Sequence, residues 1–486
     1  MPVATILETI ACALRSAFEI GRFMKTLATT ANHIIDLPSH ALAALEVLES
    51  AGFEAWCVGG FIRDALLGRA GNDVDIACSA HWRQAQASFE AAGYRTHETG
   101  VAHGTLTVII EGHPVEVTTY RCDGSYSDGR HPDEVSFVST IDEDLARRDF
   151  TINAIAYHPI RGFVDEFDGL ADLQTRVIRT VGDPKKRFAE DALRILRACR
   201  FKSQLGFSLD EETLSAMKSS KSMLRSVSIE RVTHEIDLLL LGDHVHDALM
   251  ETVDVLSFVL PELASMKGFD QRTPYHIYDV LEHTAWVIQH TPPERLVRWA
   301  ALIHDMGKPA AAFEDGDVRH FYGHAHVSVD LGRALMTRFL MAPAFRDRVL
   351  TLVKYHDDVI SPDARAVKRV LGRKLGGDAD LFRSLCDLKR ADALSQAPHC
   401  APRAEVAQEL KRVLDEILES KDAFSLRQLA VNGRDILSLG VEAGPRVGTI
   451  LDAALEAVVE GDLPNEREAL LAFAASQAQA GQQGAH

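Results

Sequence analysis

Between about residues 165 and 188 the spacing of apolar residues changes period, and that change limits what the chain can fold into. Over residues 53–165 short runs, "FEAWCVGG", "DVDIACS", "TLTVII", "VEVTTYR" and "VSFVS", alternate with helical stretches, the pattern of an α/β unit. From about 188 onward, through "IERVTHEIDLLLLG", "RLVRWAALIHDMG" and "VAQELKRVLDEILES", apolar positions return with helical spacing. The expected fold is α+β, a small α/β head followed by a long all-helical body. "EGHP", between two of the β-like runs, reads as a hairpin turn. The final "ASQAQAGQQGAH" is polar and low in complexity and is expected to be disordered.

Length and composition narrow the class. At 486 residues, 46% hydrophobic and 25% charged, the chain has room for about three globular domains. No stretch approaches the roughly 18 to 20 apolar residues of a membrane helix, and no secretory signal precedes the first motif, so no membrane partner and a cytoplasmic location are expected. Met24 is a second candidate start, and a chain beginning there is expected to keep full activity. Seven scattered cysteines without a C-x-x-C pair argue against disulfides or a thiolate zinc site. The net charge of −18 disfavours non-specific nucleic-acid binding. "DPKKRFAEDALRILRACRFK" is nevertheless locally basic, which leaves a focused site open.

The first chemical signal is "VGGFIRDALLGRAGNDVDIA". An apolar strand ending in Gly59 and Gly60 before a helix would let a phosphate approach backbone N–H groups. In the strand that follows, Asp73 and Asp75 are two residues apart and face one side, while Val74 and Ile76 face the core. Glu116 alternates in the same way in "VEVTTYR". Carboxylates this close repel unless a cation lies between them, and oxygen ligands suit Mg²⁺. Two Mg²⁺ ions on this trio would activate an attacking hydroxyl and stabilise a departing pyrophosphate. A solvated acidic face is the bland alternative. Further on, Arg148 in "RRDFTINAIAY" either forms a structural ion pair or meets a nucleotide.

Taken in order, "GGFIRDALLG", "DVDIA", "RRDFTINA" and "EDALRILRACRF" resemble the class II tRNA nucleotidyltransferases, the CCA-adding enzymes of the polymerase β superfamily, over residues of about 35 to 470. The resemblance implies a polymerase β-like head, two-metal nucleotidyl transfer from CTP and ATP, and tRNA as the partner. It also implies nucleotide-binding roles for Gly60, Arg63, Arg148, Asp191, Arg194, Arg197 and Arg200. "YRCDGSYSDGRHPDEVSF" looks like the flexible loop that full CCA-adding enzymes carry and CC-adding relatives lack, with His131 where relatives often have arginine.

The charged ladder of "EDALRILRACRF" has a chemical rationale beside the family one. Cytosine and adenine both present an amino donor next to a ring-nitrogen acceptor, and uracil and guanine present the reverse. An acceptor beside a donor on the protein, Asp191 with Arg194, therefore complements C and A and rejects U and G. The segment reads as one amphipathic helix, which places the two a turn apart. Each three-residue step drifts about 60° around the axis, which would carry Arg197 and Arg200 toward phosphate or toward fixing Arg194.

A second cluster lies in the helical half. "HIYDVLEHT", "IHDMGKP", "YGHAH", "KYHDD" and "KRADAL" supply His283, His304, Asp305, His324, His356 and Asp392. Imidazoles with carboxylates suit a divalent transition metal or Mg²⁺. The pattern resembles HD-domain phosphohydrolases. His283, His304, Asp305 and Asp392 would form one metal site, with His324 and His356 available for a second, hydrolysing phosphomonoesters or 2′,3′-cyclic phosphates. A degenerate helical spacer is the competing reading. Near the C-terminus a glycine turn, Gly444 to Gly448, either grips tRNA phosphates or only packs two helices.

The expected domains are an extension over 1–34, a nucleotidyltransferase head over 35–180, and a neck over 181–262 that selects nucleotide and binds RNA. An HD domain over 263–400, a tRNA-binding body and tail over 401–472 and a disordered end over 473–486 complete the chain. The expected function is template-independent CCA addition to tRNA. Two alternatives remain: a poly(A) polymerase, and an HD phosphohydrolase whose head only holds RNA.

Overall fold

The computed structural model describes residues 35–69, 71, 74–100, 104–123, 135–420 and 422–483. Asp73, His131 and the extension over 1–34 lie outside the described residues. The described residues divide into two compact units, one within 35–198 with 207–227, the other within 199–206 with 228–483.

The first unit is built on a seven-stranded sheet. Its strands are β1 (Ala55–Val58), β2 (Val74–Cys78), β3 (Arg95–Gly100), β4 (Thr105–Ile110), β5 (His113–Thr119), β6 (Ala156–His158) and β7 (Gly162–Val164). Their order is β3-β4-β5-β2-β1-β6-β7, and only β2 and β5 run parallel. The expected hairpin joins β4 to β5: Glu111 and Gly112 both have positive φ, 53° and 84°, and Ile110 pairs with His113. Two positive-φ residues give the twist that a two-residue turn needs. The helices Ser39–Ser50 and Trp82–Ala91 pack on the sheet. A core of Trp56, Val58, Ala77, Tyr120, Ile141, Leu145, Ala154, Ala156 and Val181 fills the Asp75 side of β2. Val74 and Ile76 are buried on the opposite side.

The ladder segment is not one helix. A helix Pro184–Glu190, capped by Asp183, stops at Asp191, whose backbone is extended with φ −142° and ψ 106°. A new helix, Leu193–Leu205, follows, and the Asp191 carboxylate accepts the Leu193 N–H at 3.0 Å. Aspartate competes with the helix ladder for backbone N–H groups and so favours a cap over an interior position. Asp191 therefore enters its site from a cap and not from the face that carries Arg194.

The second unit is helical, with one correction among the described residues: Phe313–Asp315 and Val318–His320 form an antiparallel hairpin inside the expected all-helical body. Arg298 is buried and donates to the carbonyls of Leu240 and Gly242 at 2.8 and 3.2 Å, satisfying the end of the Ile229–Leu240 helix. At the C-terminus the helix Arg467–Gln483 runs through most of the segment expected to be disordered. Alanine and glutamine are good helix formers, and Ala474 and Ala478 are buried against Ile436, Val441 and Ile450. Gly448 lies within the helix Pro445–Glu460, so only Gly444 belongs to the turn before it. No described helix is long and apolar enough to cross a membrane.

Candidate functional site

In the first unit the glycine turn, β2 and the "RRDFTIN" segment meet. Gly59 has φ +77°, and a Cβ there would lie 3.1 Å from Arg148 Nη1 and 3.3 Å from Asp75 Oδ2. Glycine is needed twice over, for the left-handed backbone and for the space. Asp75 is in register with Glu116 on the parallel neighbour β5, so the two carboxylates are adjacent on one face. Arg148 donates through Nη2 to Asp144 at 3.2 Å. Asp144 is fully buried and also pairs with Arg147 at 2.8 Å. Burial opposes its ionisation, but the two guanidiniums outweigh burial and hold its carboxyl below the usual range.

A second chain of contacts links the turn to the neck. Arg63 Nη1 donates to Asn153 Oδ1 at 2.7 Å, and Asn153 Nδ2 donates to Asp149 Oδ1 at 3.1 Å. The other Asp149 oxygen accepts from Arg197 at 2.7 Å. Asp149 is buried, which disfavours its charge, yet Arg197 and the Asn153 hydrogen bond lower its pKa overall. Arg197 thus meets a carboxylate where the sequence reading turned it toward phosphate or toward Arg194. Arg194 is held by Glu190 at 2.6 Å and by the Arg147 carbonyl at 3.0 Å. Arg200 belongs to the second unit and pairs with Glu235 at 3.0 Å. Sequence reasoning missed Asp144, Asp149 and Asn153. Asp149 and Asn153 stand within the quoted "RRDFTIN", where two arginines directly ahead of a carboxylate were the available signal.

The second unit brings the six expected HD residues together. Asp305 Oδ2 lies 3.3 Å from His283 Nε2 and 3.2 Å from His304 Nε2, and Oδ1 lies 3.4 and 3.8 Å from the Nε2 atoms of His324 and His356. Asp392 approaches His283 at 3.1 Å. His283, His304 and Asp305 form one ligand-capable group, and Asp305, His324 and His356 another. The two sets share a carboxylate, where separate sites were expected.

The tautomers follow from the opposite ring atoms. Nδ1 of His283, His304, His324 and His356 faces the carbonyl of Ser395, Ala301, Phe321 and Val353 respectively, at 3.1, 2.7, 2.9 and 2.7 Å. A carbonyl only accepts, so each Nδ1 carries its proton and each Nε2 of a neutral ring turns a lone pair toward Asp305. Nε2 of His283 and His304 and both oxygens of Asp305 are buried without a hydrogen-bond partner. Acceptors converging on acceptors require a cation, and imidazoles with carboxylate fit a divalent metal. Without a metal, burial disfavours His283⁺ but Asp305 and Asp392 push its pKa up to about 9. His356 goes the other way, to about 3, through burial and the neighbouring His304. Lys308 adds an ammonium 2.7 Å from Asp305 and 2.8 Å from Gln271.

Residues 55–179 match the family described as the Poly A polymerase head domain, and 206–267 the probable RNA- and SrmB-binding site of polymerase A. Residues 274–397 match the HD domain, and 388–474 the putative tRNA nucleotidyltransferase domain 2. The CCA-adding enzyme of Levilactobacillus brevis is 35% identical over 437 residues, 89% of this chain and 96% of its own. That of Streptococcus thermophilus is 35% identical over 442 residues, 90% and 97% of the two chains. Among solved structures, the Bacillus stearothermophilus CCA-adding enzyme in complex with CTP aligns with a TM-score of 0.70 at 29% identity, covering 92% of this chain and 98% of that one. The Thermotoga maritima enzyme complexed with tRNA shares the fold, with a TM-score of 0.54 at 20% identity over 93% of this chain and 98% of that one.

Proposed function

This chain belongs to the CCA-adding enzymes, and from that membership we propose that its head extends the 3′ end of tRNA by C, C and A drawn from CTP and ATP, with the protein and no template choosing each monomer. As a nucleotidyltransferase of the polymerase β superfamily it uses divalent metal. Asp75 and Glu116, with Asp73, would hold two Mg²⁺ ions, because an oxygen-only set of adjacent carboxylates fits a hard dication. Bound there, the ions would supply Lewis-acid stabilisation of the leaving pyrophosphate and a lowered pKa for the attacking hydroxyl.

The remaining roles fall to the chain itself. Gly59 and Gly60 keep the turn narrow enough for a triphosphate to approach Asp75 and Arg148. Asp144 clamps Arg148, and Asn153 orients Arg63, so both guanidiniums are set before substrate arrives. Asp191 and Arg194 read the Watson–Crick edge, the first steadied by its cap bond and the second by Glu190. Arg197 holds the neck helix to Asp149. Arg200 steadies the continuation of that helix through Glu235.

The observation that carries the reading is the Gly59 turn, which sets a carboxylate and a guanidinium against one stretch of backbone. The test supplies tRNA lacking its 3′ end with each nucleoside triphosphate and sequences the product. Two C residues followed by one A are expected, and Asp191→Ala or Arg194→Ala should admit U or G. Long A tracts with CTP unused would overturn the assignment.

The second unit supports a further activity. The orphaned Nε2 and carboxylate atoms around Asp305 favour an HD phosphohydrolase that takes phosphomonoesters or 2′,3′-cyclic phosphates, with His283, His304, Asp305, His324, His356 and Asp392 as the residues that would hold the metal. Bound there, a transition metal or Mg²⁺ would supply a water nucleophile at neutral pH. The His304→Ala, Asp305→Ala double variant is expected to lose bound divalent ion and hydrolysis together. If it matches the parent in both, the reading is withdrawn.

A further inference from the structure

Arg187 stands on the helix Pro184–Glu190, one turn ahead of Glu190, and its side chain is only 14% exposed. Every nitrogen of its guanidinium has an oxygen partner. Nε donates to the Val181 carbonyl at 3.1 Å, Nη1 to Glu190 Oε2 at 2.9 Å and Nη2 to the Ala146 carbonyl at 2.8 Å. Bonds in three directions fix a planar guanidinium in place and in orientation, which a point-like ammonium would not reproduce. Arg194 leans on this anchor twice: its Nη1 donates to the same Glu190 oxygen at 2.6 Å and to the backbone carbonyl of Arg187 at 3.2 Å. Its Nη2 donates to the Arg147 carbonyl at 3.0 Å. All three bonds grip Nη atoms, so of the five N–H groups of Arg194 the chain leaves Nε–H and one hydrogen of Nη2 for a ligand.

The carbonyls of Ala146 and Arg147 close the six-residue helix Ile141–Ala146, where the last carbonyls lack intrahelical partners and attract cations. Asp144 of the same helix holds Arg148. One short helix therefore carries the phosphate-side guanidinium at one point and both Arg187 and Arg194 at two others. Glu190 is the loose member of this set. Its side chain is 34% exposed, and a single oxygen serves both guanidiniums. With Arg187 in place the carboxylate is pinned from two sides. Without Arg187 it is free to turn toward water and take Arg194 with it.

Resting on the reading of Arg194 as a donor to the base edge, we infer that Arg187 is the positioning residue for base selection, holding Glu190 and Arg194 in the one arrangement that suits C and A. It acts through those two side chains and not on the base itself. Rejection of U and G requires that the wrong edge leave the donor of Arg194 unpaired. A guanidinium able to swing aside would escape that penalty, so selection depends on what stops it from swinging. The same fixed Arg194 lets C and A bind without first ordering a flexible side chain.

The test uses the full chain with Mg²⁺ and tRNA ending before the first C or after the second. Initial rates give kcat and KM for CTP, ATP, UTP and GTP, and inhibition by inorganic triphosphate reports the phosphate side alone. Arg187→Ala should raise KM for CTP and ATP on the order of tenfold with kcat within about threefold of the parent, the usual size of one lost charge-assisted hydrogen bond in binding. The preference for CTP over UTP should narrow by about tenfold. The inhibition constant of triphosphate should not move. Arg187→Lys keeps a charge beside Glu190 and loses the fork to Val181 and Ala146, so its loss should be smaller, and it is the variant to read if Arg187→Ala does not fold. The double variant Arg187→Ala, Arg194→Ala should be no less selective than Arg194→Ala, since nothing is left to position. Losses that multiply in the double variant, or KM and the triphosphate constant rising together with a lower Tm, would make Arg187 a structural residue and overturn the inference. Arg187→Ala as selective as the parent beside a promiscuous Arg194→Ala overturns it too and leaves the role of Arg194 standing. Unchanged selectivity in both variants strikes the role of Arg194 and the inference with it.

Discussion

The two charged clusters of this chain are built on opposite principles. In the head, each guanidinium that sequence reading singled out near the turn has found an oxygen: Arg63 has Asn153, Arg148 has Asp144, Arg194 has Glu190 and Arg197 has Asp149. Those guanidiniums are held by the chain itself, and a ligand finds them already arranged. Around Asp305, four imidazoles give their Nδ1 protons to backbone carbonyls and turn lone pairs toward a buried carboxylate. Even with the Lys308 ammonium 2.7 Å from Asp305, that cluster leaves buried imidazole nitrogens unmatched. Burial makes the difference matter, because an unmatched polar atom out of water costs about 1 to 3 kcal/mol.

The largest expected effect breaks the head while sparing the helical unit. Asp75→Asn should lower nucleotide incorporation roughly a thousandfold, as loss of a metal-bearing carboxylate does, with divalent ion bound at Asp305 unchanged. Incorporation at the parent rate would remove Asp75 from the chemistry. The converse variant is next. Asp305→Asn should weaken binding of divalent ion at that site at least about a hundredfold, read by metal analysis after dialysis, with CCA addition retained. A parallel fall in CCA addition would mean that the two clusters do not act separately.

A smaller effect concerns stability. Asp149→Asn should lower unfolding free energy by about 2 kcal/mol at pH 7, from the loss of charge-assisted hydrogen bonds to Arg197. Its folded pKa is lowered, because Arg197 and Asn153 outweigh burial. The carboxylate therefore stabilises the fold above the ordinary carboxylate pKa of about 4, and that contribution is lost as pH falls toward the lowered folded value. Denaturant curves should show the gap between parent and variant widest near neutrality and shrinking below about pH 4. A gap that does not change with pH would mean that ionisation of Asp149 is irrelevant.

The smallest effect sharpens the tautomer argument. His283 Nδ1 is held by the backbone carbonyl of Ser395, while the Ser395 hydroxyl lies 3.0 Å from His290. Ser395→Ala should leave bound divalent ion unchanged and cost at most about 1 kcal/mol of stability. A clear loss of metal would show that the side chain takes part in orienting the ring.

How much of this was legible in the chain depends on how local each feature is. The glycine turn, the alternation that buries Val74 and Ile76, and the Glu111–Gly112 hairpin are decided within a few residues, and periodicity exposes them. The six HD residues were legible as types in order, and the structure converges them on Asp305. The break at Asp191 was hidden because the apolar spacing on either side of it continues almost in phase, while a single cap bond decides the geometry. The helical C-terminus was hidden for another reason: alanine and glutamine read as low complexity, and only packing of Ala474 and Ala478 on Ile436 and Ile450 gives the segment a buried face.

By itself, then, the order of residues determined where the sheet-forming part yields to helices, and which side chains are able to bind metal, phosphate or a base edge, because those properties depend on residue type and on neighbours a few positions away. Only the tertiary structure decided which charges neutralise one another. Arg197 and Asp149 are 48 residues apart in the chain, and Arg63 and Asn153 are 90 apart. Pairing over such distances is decided by which strands and helices pack together, and electrostatic partnership follows proximity in space.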